Sequence, residues 1–379
     1  MRIVMGSDLY YPCLLGGGEK RMYEIANRLA EKHEIHVLTR RLEGLPNYEL
    51  HRGVHIHRVF VPSGRVKLES PTDGSAFMVT CAVKGIKLGD FDIYAPQQFF
   101  PIPPLWLIAK ARKRPIIPTI HDVYRDTWLQ KYGSKGCLMS IFEKIMLKLP
   151  YNKIITVSNS SKSKLIDCGV PSEKIEVIPN GVDLEEFDRV RAKKPEKPRI
   201  IYVGRLIGYK HVDDLILAFS KLDLDAELYI VGDGPERKKL EFLAKKYVTK
   251  NKVVFTGFVD EKRKIELIKS SHVLVLPSTT EGFGIVLIEA MAAKTPVIAA
   301  DIPALQELVG DENGLLFEPR NIDELCDKLK YLLRNEDLSK RFAENGYELV
   351  KKKFCWDEIT KRVEVLFEEI SQINQKPQT

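Results

Sequence analysis

Cysteine is sparse in this 379-residue chain and never paired in sequence. Cys13, Cys81, Cys137, Cys168, Cys326 and Cys355 are scattered, and none forms C-x-x-C. That excludes a disulfide framework or a structural zinc site and fits a reducing compartment. Long apolar runs are also missing; none reaches the roughly 20 residues that cross a bilayer. Met1-Arg-Ile-Val-Met5 already reads as a strand, so no signal peptide is expected and a cytoplasmic protein is. G-x-G-x-x-G is absent, which removes the standard dinucleotide fingerprint and disfavours a dehydrogenase. No zinc finger, RNA-recognition signature or basic stripe interleaved with stacking rings speaks for nucleic acid. No short-period repeat is visible.

What is present is globular: 44% hydrophobic and 29% charged residues. The length asks for two domains. A formal net charge of +7 is mild and suits an acidic ligand or an anionic membrane face. Strands and helices alternate in two consecutive series, the pattern of two doubly wound α/β domains facing a cleft. Prolines and cations crowd residues 185–198, which read as the linker. The first domain is therefore placed at 1–185 and the second at 186–356.

The richest stretch runs from Leu276 to Ala293. The apolar run His272–Leu276 reads as a buried strand. Glu281-Gly-Phe-Gly284 is a tight loop, and a helix of good formers opens at Ile285. Strand, glycine loop and helix N-terminus together present free backbone N–H groups to an anion. Glu281 and Glu289 bracket the loop with seven residues between them. Eight helical positions span about 12 Å, whereas paired glycosidase carboxylates sit roughly 5–9.5 Å apart. Two contacts on one long ligand, a sugar ring and a ribose, suit that spacing. A loop acid and a solvated helix acid are the alternative.

Other stretches carry weaker signals. Gly16-Gly17-Gly18 opens a helix after the first strand, a phosphate-binding position or merely a turn. His121-Asp122 ends a strand read over 115–120, pointing into the ligand crevice or starting a helix. Arg205 and Lys210 follow the strand Arg199–Val203; a guanidinium fork and an ammonium point charge suit a diphosphate, unless both are solvated surface cations. Val54–Val59 alternates and reads as a half-exposed strand with His55 and His57 facing outward; a metal pair there is disfavoured. Leu138, Met139, Ile141, Phe142, Ile145, Met146 and Leu149 form a helical stripe flanked by Lys144 and Lys148. Such a stripe is usually core, though a membrane surface would also take it. Lys110, Arg112, Lys113 and Arg114 fit anionic lipid or a solvated helix end. Asp90-Phe-Asp92 and Asp223-Leu-Asp225 spell D-x-D, but both fall where strands begin, so they are read as turns.

Taken in order, these motifs resemble family 4 retaining glycosyltransferases of the GT-B fold. The strongest element is Glu281-Gly-Phe-Gly-Ile-Val-Leu-Ile-Glu289, similar to the family's E-x7-E. The Gly16–Gly18 loop with Glu19, His121-Asp122, Asn180-Gly-Val-Asp183, Gly204-Arg205 with Lys210, and Gly232-Asp-Gly-Pro235 fall in the expected order. The resemblance covers essentially the whole chain and implies the following roles. Arg205 and Lys210 hold the diphosphate of a nucleoside-diphosphate sugar, and Glu289 binds the ribose. Glu281 contacts the transferred hexose beside Gly282, Phe283, Gly284 and Ile285. Gly17 and Gly18 approach the reacting centre, and His121 lies near sugar and acceptor. Residues 357–379 pack back on the first domain. No cofactor and no metal are implied. The acceptor is a glycan or lipid-linked sugar, shaped by loops 62–74 and 97–104, and peripheral membrane contact is compatible with that. The rivals are a nucleotide-sugar epimerase of the same architecture and a non-catalytic nucleotide-binding module. Donor base and sugar are left open.

Overall fold

Ile3, Val4 and Met5 are consecutive buried apolar residues of Arg2–Gly6, which forms β1, an inner strand of the first sheet. The computed structural model describes residues 1–14, 16–64, 71–124, 128 and 134–375. Part of the 62–74 acceptor loop, residues 65–70, lies outside the described residues.

The chain divides into two units, Met1–Asn180 with Trp356–Thr379, and Gly181–Cys355. In the first, β1 is followed by α1 (Gly17–Leu29), β2 (Glu34–Arg40), β3 (Tyr48–His51), β4 (Val54–Val59), α2 (Pro71–Lys87), β5 (Ile93–Pro96) and α3 (Ile102–Ala111). Then come α4 (Ser134–Leu147), β6 (Ile154–Thr156), α5 (Asn159–Asp167) and β7 (Ile175–Val177). The sheet order is β3-β4-β2-β1-β5. It is parallel except for β3, which runs against β4. Single bridges continue it from β5 through Ile116 and Thr119 to β6. Right-handed crossovers put α1 on one face and α2, α3 and α4 on the other, because the chain moves in opposite directions along the sheet. The last helix, α14 (Trp356–Gln375), packs beside α1; Arg28 meets Asp357 at 2.7 Å and Lys32 meets Glu364 at 3.0 Å.

The second unit holds α6 (Leu184–Arg189), β8 (Arg199–Val203), α7 (Val212–Ser220), β9 (Glu227–Val231), α8 (Arg237–Tyr247), β10 (Lys252–Gly257), α9 (Glu261–Lys269) and β11 (Val273–Leu276). It continues with α10 (Ile285–Ala292), β12 (Val297–Ala300), α11 (Pro303–Gln306), β13 (Gly314–Phe317), α12 (Ile322–Arg334) and α13 (Glu336–Lys353). Its sheet is parallel throughout, in the order β10-β9-β8-β11-β12-β13. Burial on both faces explains why β11 and β12 are unbroken apolar runs, each residue fully buried.

Several sequence expectations are corrected. The division falls at Asn180–Gly181, not at 185–186. The start of the stretch read as a linker is folded: Asp183 caps α6 by accepting from the amides of Glu185 and Glu186, Phe187 is fully buried, and Lys269 donates to the carbonyls of Phe187 and Val190, whereas residues 191–198 are irregular. The strand read over 115–120 is reduced to isolated bridges at Ile116 and Thr119, because Pro115 and Pro118 have no N–H to give the ladder. β4 is not half-exposed. The edge strand β3 only extends the sheet; helix α2 packs on β4, and His57 is buried against His36 with ring nitrogens 2.9 Å apart. The α4 stripe is not all core. Met146 is buried, but Leu138, Ile141 and Ile145 are exposed. The reading of both D-x-D sequences as turns stands: they lie in irregular segments ahead of β5 and β9, where Asp92 accepts from the Arg2 amide, Asp90 pairs with Arg114 at 2.5 Å, and Asp225 pairs with Lys197.

Candidate active site

In an open parallel sheet the ligand crevice opens where neighbouring strands lead away in opposite directions. In the second unit that point lies between β8 and β11, the central pair. The loop after β8 carries Arg205 and Lys210; the loop after β11 carries Glu281. The structure brings the two loops together, since Lys210 Nζ lies 2.5 Å from Glu281 Oε1 and both side chains are largely buried. Thr279 also donates its amide to the Tyr209 carbonyl. Arg205 is exposed, with its guanidinium 3.5 Å from the Tyr209 hydroxyl. Its backbone is braced from below: Leu206 donates to Asp233 and accepts from Glu236, and a Cβ at Gly232 would fall 2.1 Å from the Gly204 oxygen. That close approach is why Gly232-Asp-Gly-Pro235 follows β9.

Gly284 caps α10 with φ 86°, the left-handed region. A Cβ there would also sit 2.6 Å from Leu305, so only glycine fits. No side chain caps α10. Gly282, Phe283, Gly284 and Ile285 therefore stand at a helix N-terminus whose first amides have no intrahelical acceptor. Phe283 is buried, edge-on to Phe354. Glu289, on the first turns of α10, is 3% exposed and bonds Lys264 of α9 at 2.8 Å. Lys264 is the functional candidate that sequence reading missed; no motif links two residues 25 positions apart.

The first unit assembles a second cluster at the C-terminal edge of its own sheet. Gly17 and Gly18 open α1. Gln97, just past β5, donates to the Gly18 carbonyl at 2.6 Å. A Cβ on Gly18 would lie 3.3 Å from both Gln97 Nε2 and His121 Nε2. Gln97 and His121 thus converge on the glycine loop; Gln97 opens the 97–104 loop expected to shape the acceptor, but no motif tied it to Gly18. Burial, with Arg21 nearby, pushes His121 down to about 3, so the ring is neutral at physiological pH. Its Nε2 is buried without a bond. Asp122 is not part of the cluster's open side; it pairs with Lys164 at 2.8 Å. The Asn180–Asp183 motif is likewise structural, Asn180 meeting the buried Arg21 and Asp183 capping α6.

Residues 15–186 match the family described as Glycosyltransferase Family 4, and residues 183–349 match Glycosyl transferases group 1. An uncharacterized glycosyltransferase of Methanocaldococcus jannaschii is 30% identical over 95% of this chain and 96% of its own. Sucrose-phosphate synthase from Thermosynechococcus elongatus superposes with a TM-score of 0.85 at 21% identity, covering 98% of this chain and 99% of that one. Anabaena HepE, solved in complex with UDP-glucose, superposes with a TM-score of 0.78 at 18% identity, over 97% and 100%. Matches at that identity speak for the fold alone; with the family matches and the archaeal relative, this chain belongs to glycosyltransferase family 4 and has the GT-B fold.

Proposed function

We propose that this glycosyltransferase moves a hexose from a nucleoside-diphosphate sugar to a hydroxyl of a glycan or lipid-linked sugar, with retention at the anomeric carbon and without a divalent metal. The observation that carries the reading is the loop pair at the centre of the second sheet, where Lys210 and Glu281 lie 2.5 Å apart beside Arg205 and the uncapped start of α10. The UDP-glucose complex of HepE supports the donor class.

In the proposed reaction the C1–O bond to the diphosphate breaks and its electron pair leaves with the diphosphate. Arg205, Lys210 and the α10 amides offset that charge, each well-placed donor contributing on the order of 3–4 kcal/mol in the transition state. The acceptor oxygen bonds C1 on the same face, and its proton passes to the departing phosphate oxygen. Glu281 orients Lys210 and contacts the hexose, and Glu289 takes the ribose hydroxyls. Gly17, Gly18 and neutral His121 serve the sugar and acceptor, His121 through a hydrogen bond rather than as a titrating base. The protein works in the cytoplasm with peripheral membrane contact.

Arg205→Ala and Lys210→Ala are each expected to cut transfer roughly 100–1,000-fold; the melting temperature should be unchanged in the first, whose side chain is exposed, and lowered in the second, which strands the largely buried Glu281 carboxylate, with both variants still folded. Transfer by the native protein is expected to persist in EDTA. Unchanged turnover in either variant removes the diphosphate assignment, and a strict magnesium requirement removes the metal-free one.

A further inference from the structure

The helices on one face of the first sheet carry a surface unlike the rest of the unit. On α2, Val79, Val83 and Ile86 are 64%, 49% and 59% exposed; on α4, Leu138, Ile141 and Ile145 are 66%, 49% and 53% exposed. Both sets recur at three- and four-residue spacing, so each is one stripe along a helix. Leu107 of α3, 59% exposed, stands on the helix that packs against α2. The helices pack as neighbours: a Cβ at Gly85 of α2 would lie 2.8 Å from Ile108 of α3, and one at Gly74 would meet Phe100, whose ring stacks on Phe142 of α4.

Charge on these helices has one sign. Lys87, Lys110, Lys144 and Lys148 are exposed and Lys84 is half-buried. The acids within the three helices are Asp73 and Glu143, each 1% exposed and turned inward, Asp73 onto the Ser63 amide and Glu143 onto the Tyr124 amide. Aliphatic side chains between lysines, with no exposed acid within the three helices and Asp90 just beyond α2 paired with Arg114, match the interface of a bilayer: the apolar tips enter the acyl boundary and the ammonium groups reach the headgroups. A second copy of this chain is a poorer occupant. A two-fold contact would set lysine against lysine without a carboxylate between them.

We propose that the α2–α3–α4 face docks on an anionic membrane surface, holding the first unit beside lipid-borne acceptors. The full chain is expected to sediment with vesicles of phosphatidylcholine containing about 30% phosphatidylglycerol at least tenfold more tightly than with phosphatidylcholine alone. Raising salt from about 0.1 to about 0.5 M should weaken that binding. Lys144→Glu with Lys148→Glu, Ile141→Ser with Ile145→Ser, and Val79→Ser with Val83→Ser should each reduce it at least fivefold. Because these side chains are exposed, thermal midpoint and nucleotide binding should be unchanged, and any pair that loses either is set aside in favour of the others. No sedimentation of the native chain, equal binding to both vesicle types, or binding unmoved by the folded variants overturns the proposal. Self-association abolished by the same pairs overturns it in favour of a second copy. Vesicle binding reads this face and nucleotide binding reads the second unit, so failure here leaves the donor assignment standing.

Discussion

Glu289 is a carboxylate with 3% exposure, and such a group is tolerated when a cation and hydrogen bonds replace its water. Lys264 supplies the cation at 2.8 Å, and Glu261 holds Lys264 in turn at 3.0 Å. If Glu289 takes the ribose, Lys264 helps to orient its carboxylate. Lys264→Met is expected to raise the donor KM about tenfold and to cost on the order of 2–3 kcal/mol of stability, since it strands a buried charge. Lys264→Arg should restore most of both. The discriminating measurement is the affinity ratio between a nucleotide and its 3′-deoxy form: it should collapse in Glu289→Gln and fall in Lys264→Met. A ratio unmoved by Glu289→Gln removes the ribose role itself; one moved by Glu289→Gln alone removes only Lys264's part. The glutamate was legible in the sequence because the motif spells it. Its partner was not, because α9 meets α10 only after the sheet has formed.

At the level of the element, the β3–β4–β2 edge holds a stack of histidines. His36 pairs with Glu34 at 2.8 Å and with His57 at 2.9 Å, and its ring lies 4.7 Å from that of His55. Burial pushes His57 down to about 3, with His36, Lys84 and His55 adding to it. His36 is lowered too, chiefly by burial. These groups bind protons more readily unfolded than folded, so stability is complete above about pH 6.5 and falls as the pH drops toward 3. His57 alone should account for about 2 kcal/mol between pH 7 and pH 5, and His36 and His121 act in the same direction. The urea midpoint is therefore expected to fall over that interval and to fall less in His57→Gln; an identical slope in the variant would remove the stack from the account. Alternation in Val54–Val59 misread this edge because period two reports which residues share a face, not whether a helix packs over that face, as α2 does.

For the whole molecule, the residues proposed to hold the donor diphosphate, Arg205, Lys210 and Glu281, belong to the second unit and the glycine loop with His121 to the first. A nucleoside diphosphate should therefore slow amide hydrogen exchange at residues 204–210 and 281–289 while leaving β2 and β4 unchanged. Protection concentrated in β2–β4 instead would place the nucleotide in the wrong unit. Running the same exchange against UDP, GDP and ADP would also rank the bases.

By itself the sequence determined the class of the protein. Period-two and period-3.6 patterns, glycines at strand ends and the Glu281–Glu289 spacing are local, and local geometry dictates them: only glycine turns at Gly284, and only an apolar run crosses a sheet covered on both faces. Tertiary structure alone decided which charges meet. Lys264 with Glu289, Lys210 with Glu281, Gln97 with Gly18, and the exposed rather than buried side of α4 depend on contacts between segments tens of residues apart. Such contacts exist only once the hydrogen-bonded order of the strands has been chosen, and strand order leaves no periodic trace in the chain.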